Sequence, residues 1–283
     1  MTTKTELLNN GVVVATKTAA PFYSWDWTPA TSGASSLTYK RYEDNVLVFT
    51  SGAITGTVDA PGGSAISPDQ LTNGLQWYDA SDATKVTVDG SNLVTVFANK
   101  IGSNTLAPFD GSPIYDSGNG KIVFSSTQTL KRAAISQLSR TANWHIFLIF
   151  KANSIPTTGR NAFLGNYISA SDRLGVGVRD GKLVVATYDG SAFNSKSTDT
   201  FTDTTGLHVL EAKNIGGVIT AYIDDVEMTT TGASSPVDSD IRFIIGGAGQ
   251  ATDYDFEGYV SASSEITTQR TGLRQWITDK YGI

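Results

Sequence analysis

Asp253, Asp255 and Glu257 alternate along the chain, and alternate positions of an extended strand share a face. That is the arrangement two carboxylates need to act as acid and base across a glycosidic bond. They fall in a Gly-rich connection before Gly258, so the reading for them is an exposed turn or strand edge. The two histidines stand apart in sequence. His145 lies in Trp144-His-Ile-Phe-Leu-Ile-Phe150, where alternation puts it with Phe147 and Ile149 on one face, as a hydrogen-bonded structural residue. His208 precedes a strand. With no cysteine, the two histidines give no transition-metal spacing, and no Gly-x-Ser-x-Gly elbow offers a nucleophile. Gly175-Val-Gly177 and Gly246-Gly-Ala-Gly249 complete no phosphate loop and lead into no helix, so sheet packing and turns explain them. The expectation is a protein that is not an enzyme.

Binding chemistry has better candidates. Aromatic rings that stack on pyranose faces, flanked by groups that pair with hydroxyls, recognise saccharides. Tyr167 stands before the loop that ends in Asp172 and Arg173, and Tyr188 and Asp189 open the next loop, which holds Phe193 and Asn194. The two loops bracket one hairpin pair and can share an edge of a sheet. The competing reading is that Tyr188 pads the core.

The elements that must position these residues are strands. The chain has 283 residues, enough for two domains or one large domain with an appendage. Charged residues make up only 17%, below the roughly 25% usual for globular proteins, which discourages long surface helices. Twenty-one basic against 27 acidic residues give a net charge of -6, so nonspecific attraction to nucleic acid or anionic membranes has no source. Residues 1–10 hold no apolar run of signal-peptide length, and no stretch is apolar enough to span a membrane.

Residues 1–60 read as an all-β module, and the Pro/Gly-rich stretch around Pro61-Gly62-Gly63 reads as a linker over 61–67. From residue 68 to 283, at least ten strands at hairpin-like spacing predict two packed antiparallel sheets. Asp180-Gly181 and the turn ending at Gly217 fix two of the hairpins. Thr127 to Leu138 has modest amphipathic spacing that fits a helix or an irregular loop. Leu273, Trp276, Ile277 and Tyr281 recur at helical steps near the end, and their common face should dock on the sandwich.

Three stretches carry a resemblance. Gly74-Leu-Gln-Trp-Tyr-Asp-Ala-Ser-Asp82, with residues 86–90 and 94–100 after it, resembles the start of laminin-G-like, concanavalin A-like jelly-roll domains of bacterial and phage proteins. Residues 273–283 resemble the terminal helix of those domains, and residues 208–213 with 219–225 resemble a strand pair ending in an acidic turn. In the front module, residues 8–15 and 20–29, including Trp25 and Trp27, are similar to the middle of bacterial immunoglobulin-like domains, without the strands that usually come first. The resemblance implies an all-β fold: a small incomplete immunoglobulin-like sandwich, then an antiparallel jelly-roll sandwich with a short C-terminal helix.

It further implies a non-enzymatic phage virion component on the virion surface, such as a head fibre, capsid decoration or tail fibre. Residues 1–60 would attach to other virion proteins, as a homo-oligomer, because a sandwich missing strands leaves edges for another chain to cover. The jelly roll would face a cell-surface glycan at Tyr167, Asp172, Arg173, Tyr188, Asp189, Phe193 and Asn194. No cofactor is expected. Calcium, which such domains often hold near the rim, is the alternative, at Asp79 with Asp82, Asp224 with Asp225, or Asp253 with Asp255. The rival functions are a polysaccharide-degrading jelly-roll enzyme and a bacterial surface adhesin fragment. The jelly-roll hydrolases similar to laminarinases carry Glu-x-Asp-x-x-Glu, which this sequence lacks.

Overall fold

A computed structural model describes residues 2–20, 22, 33–58, 65–231, 243–246 and 252–283. Trp25, Trp27, residues 61–64 of the expected linker and the glycine run 247–249 lie outside the described residues. The chain divides into two compact units, residues 1–66 together with 268–282, and residues 67–267.

In the first unit, Val12–Lys17, Thr3–Asn9, Gly33–Glu43 and Val46–Thr50 lie side by side in that order as an antiparallel sheet, and Ile54–Val58 pairs with the other half of Gly33–Glu43. Two tight reversals set the register. Asn10-Gly11 and Asp44-Asn45 hold positive φ at both positions, the twist-matched turn that short polar residues and glycine tolerate. The helix Thr267–Tyr281 buries Leu273 and Ile277, while Trp276 and Tyr281 are half-buried and meet edge to face at 6.2 Å. It belongs to the first unit, where the Ile66 N–H donates to its Gly272 carbonyl.

The second unit is an antiparallel sandwich. One sheet runs Ile114–Asp116, Lys121–Ser126, Thr252–Ala262, Trp144–Ala152, His208–Ile215, Val218–Ile223 and Val226–Glu227, with Gly74–Asp79 also paired to Thr252–Ala262. The other runs Phe193–Ser197, Lys182–Tyr188, Asp172–Arg179, Arg160–Ser169, Phe243–Gly246, Thr129–Arg132, Thr105–Asp110, Val94–Ala98 and Val86–Val88. Alternation assigns the faces. Trp144, Ile146, Leu148 and Phe150 enter the inter-sheet core, as do Leu174, Val176 and Val178 opposite. Each such side chain contributes about 1.5–3 kcal/mol on burial.

The expected hairpins form at Asp180-Gly181 and Gly216-Gly217, both with positive φ. The Thr127 to Leu138 segment is neither a helix nor a loop throughout. It gives the strand Thr129–Arg132 and a single 3-10 turn, Ser136–Leu138, because Phe243–Gly246 and Thr105–Asp110 pair with it on either side. Asp253, Asp255 and Glu257 are not in an exposed turn. They sit in Thr252–Ala262, which is paired on both sides, so the glycine that suggested a connection, Gly258, lies mid-strand beside an irregularity at Ile149/Phe150. Among the described residues no helix is long and apolar enough to cross a membrane.

Candidate functional site

The register of the second sheet aligns four of the expected residues in one row. Tyr167 pairs with Arg173, Arg173 with Tyr188, and Tyr188 with Phe193, each across a strand boundary. The neighbours Leu174 and Val176 face the core, so this row is on the opposite face of the sheet. The Arg173 guanidinium stands 5.0 Å from the Tyr167 ring centre and 5.4 Å from that of Tyr188, and the Tyr188 and Phe193 rings are 4.6 Å apart. Cation–π and aromatic pairs of this kind contribute about 0.5–1.5 kcal/mol each, so the row's own contacts hold it in place. The Tyr188 ring has both Arg173 and Phe193 as neighbours, and its hydroxyl donates to the Gly190 carbonyl at 2.8 Å. Tyr188 therefore braces the row rather than padding the core. Phe193, on the edge strand, is 36% exposed.

Phe193 also lines a cleft of 220 Å³ with Arg140, Thr187, Asp189, Asn194 and Gly217. The Asp189 Oδ1 accepts from the Ala192 and Ser191 N–H groups at 2.7 and 2.8 Å and from the Ser191 hydroxyl at 2.9 Å. These bonds hold its carboxyl down at about 2, so it is an anion at any ordinary pH. The Asn194 amide donates to the Gly217 carbonyl at 2.7 Å, which ties the edge of one sheet to the hairpin of the other. Asp172 has a different job. Its Oδ1 accepts the Arg140 backbone N–H at 2.7 Å, and the Arg140 Nε donates to the Ser171 carbonyl at 3.2 Å, so Asp172 positions Arg140 at the cleft. Arg140 and Gly217 were missed in the sequence. Arg140 lies 32 residues before Asp172 in an irregular segment, and only the tertiary fold brings it there.

The other chemical candidates are occupied structurally. The Asp255 carboxylate accepts from Lys121 Nζ at 2.6 Å and from the Asn153 amide at 2.8 Å. Burial pushes the Glu257 carboxyl up to about 7, with Lys121 opposing. His145 Nε2 meets Glu211 Oε1 at 2.8 Å with both side chains buried, and its ring stacks on Phe147. This is the structural role its alternating neighbours suggested.

Lys100 Nζ reaches Asp79 at 3.1 Å and Asp82 at 2.8 Å, so that cluster carries its own counter-charge. Asp224 is taken up with His208, and among the described residues no group of three or more His, Cys, Asp or Glu is placed to hold a metal ion.

No protein family matches the sequence, and no curated protein does either. Solved structures do match. One is botulinum neurotoxin type C, which depends on interaction with two ganglioside molecules to enter cells, at 9% identity and a TM-score of 0.50 over 74% of this chain and 51% of that one. Another is the binding domain of botulinum neurotoxin serotype D, at 12% identity and a TM-score of 0.49 over 73% and 51%. A mutant Trypanosoma rangeli sialidase displaying trans-sialidase activity matches at 9% identity and 0.47 over 87% and 43%. The likeness is one of fold. The chain spans about half the length of the neurotoxin chains it matches.

Proposed function

We propose that the second unit is a non-enzymatic saccharide-binding module and that the first attaches it to a particle. The observation that carries the binding role is the Tyr167–Arg173–Tyr188–Phe193 row ending at a cleft lined by Arg140, Asp189 and Asn194. It offers a part-exposed ring for a pyranose face beside a cation, an anion and an amide for hydroxyls. The neurotoxin that depends on gangliosides shares the fold, which supports a saccharide of a cell surface as the ligand. Placement on a phage virion, as a head fibre, decoration or tail fibre, draws on the resemblance of both modules to those of virion proteins. On this reading the front sheet is an incomplete immunoglobulin-like unit joined to its own copies and to capsid or tail proteins. Many weak copies on one particle raise avidity by orders of magnitude.

A glycan array probed with the full chain tests the binding role. A defined subset of saccharides should be retained, and Phe193→Ala and Arg140→Ala should each weaken that binding about tenfold or more, the loss expected for one stacking or charged contact. Retention of the same saccharides by both variants at unchanged strength would remove the site.

The rival reading, polysaccharide cleavage, has one observation in its favour: Glu257 with its carboxyl raised to about 7 lies two residues from Asp255. Against it, both Asp255 oxygens are already bonded within the sheet.

A further inference from the structure

Several cations of the sandwich meet a carboxylate. Lys100 pairs with Asp79 and Asp82, Lys121 with Asp255, and Lys213 with Glu265. With 27 acidic residues against 21 basic ones, carboxylates are in surplus. Arg173, in the aromatic row, nevertheless has none.

Arg173 is half-buried on the outer face of its sheet, and its guanidinium carbon is 5.0 Å from the Tyr167 ring centre and 5.4 Å from that of Tyr188. Its Nε is buried and makes no hydrogen bond. Its terminal nitrogens are not buried, and among the described residues they too have no hydrogen-bond or ion-pair partner. The carboxylates adjacent in sequence are committed elsewhere. Asp172 precedes Arg173 in the strand and so points to the opposite face, where its Oδ1 accepts the Arg140 N–H. Asp189 Oδ1 accepts from the Ser191 and Ala192 N–H groups of its own loop. The row therefore presents a guanidinium fork framed by two rings and lacking a counter-charge. Contact with an aromatic face engages the plane of a guanidinium and leaves the N–H groups at its rim free to donate. The group that matches such a fork is an oxyanion, which accepts two parallel N–H bonds.

We propose that the saccharide taken by the row is an acidic one, whose carboxylate or sulfate group accepts from the Arg173 terminal nitrogens while an adjoining pyranose lies against Phe193. One ring, Tyr188, stands between these two contacts, with its centre 4.6 Å from that of Phe193, so a disaccharide unit spans them. The net charge of -6 repels polyanions in general, and a preference for an acidic ligand has to arise from this local cation. The inference rests on the saccharide-binding reading and names the class of saccharide.

The probes are immobilised tetrasaccharides of polygalacturonate, hyaluronan and chondroitin sulfate, each beside the same chain with its carboxylates reduced to alcohols or its sulfates removed. The full chain should bind at least one acidic form about tenfold or more tightly than its neutralised partner, the gain expected of one charged, hydrogen-bonded contact. That binding should weaken as sodium chloride rises from about 0.05 to 0.5 M. Loss on carboxylate reduction identifies a uronate as the anion, and loss on desulfation identifies the sulfate ester. Arg173→Lys, which keeps the charge without the fork, should lose most of the preference, and Arg173→Gln should lose all of it. The comparison of each acid with its neutralised partner uses the unmodified protein and needs no variant to fold. Neutralised forms bound as tightly as the acidic ones would overturn the inference and leave saccharide binding standing. A preference that survives in Arg173→Gln would overturn it as well, and a chain that retains no saccharide, acidic or neutral, would sink both readings.

Discussion

Two strands of nearly equal apolar character meet opposite fates. Trp144–Ala152 in the sandwich is buried at every position except Lys151, which is half-buried, whereas Val46–Thr50 in the front sheet is exposed at every position. Val46, Leu47, Val48 and Phe49 are 65%, 47%, 48% and 53% exposed. Composition is not the difference. The first strand has a neighbour on both sides and a second sheet beneath it, while the second pairs only with Gly33–Glu43 among the described residues. An apolar edge strand bare on both faces is an aggregation hazard unless another chain covers it. The comparison shows that the sandwich covers its own apolar strands and that this edge of the front sheet is left open; its cover by a partner copy is our proposal.

The largest expected effect sharpens that contrast. Phe150→Ala should cost the sandwich about 3–5 kcal/mol in denaturant unfolding, as for a fully buried aromatic, while Val48→Ala should stay within about 0.5 kcal/mol in a dilute monomer. Equal losses at the two positions would erase the distinction. Val48→Lys should instead act on assembly. Sedimentation equilibrium should show the full chain self-associating and the variant shifted to monomer, since a buried lysine would be left without its hydration. A wild-type chain that stays monomeric at high concentration would break the partner-copy side of the comparison.

Smaller effects come from pH. The folded pKa of His208 is raised, so its pair with Asp224 contributes stability in full below about 6.5, the unfolded value, and loses it as pH rises through the folded value. Urea midpoints should therefore fall above pH 6.5, and the fall should disappear in His208→Gln. Glu257 has the same sign over a lower window. Its carboxyl is raised from 4.5 to about 7, so its ionisation costs stability between those values. Glu257→Gln should gain about 1 kcal/mol at pH 8, discounted for partial exposure, and nothing near pH 4. An unchanged midpoint at pH 8 would deny the burial cost.

Much of this architecture is legible in the chain itself. Alternation in Trp144 to Phe150 assigns the two faces correctly because strand period is local, and the Asp180-Gly181 reversal follows from φ preferences alone. The aromatic row is half legible. The loops point to Tyr167, Arg173, Tyr188 and Phe193, yet their stacking depends on register across three strand boundaries, which no single segment encodes. Arg140 was invisible because it acts through a 32-residue contact to Asp172. Asp255 and Glu257 were misplaced for a different reason. A glycine in a strand interior reads as a break, and only the pairing of Thr252–Ala262 on both sides shows otherwise. In the sequence His208 is merely the residue before a strand, since its partners Asp203 and Asp224 come from a loop and from the turn of the following hairpin.

On the proposed function, this protein binds saccharides and does not cut them. The direct measurement is to incubate the full chain with a polysaccharide it retains and to assay released reducing ends over many hours, alongside Asp255→Asn and Glu257→Gln. The account predicts a saccharide recovered at its original length in all three reactions. Shortened products from the wild type that vanish in either variant would contradict it.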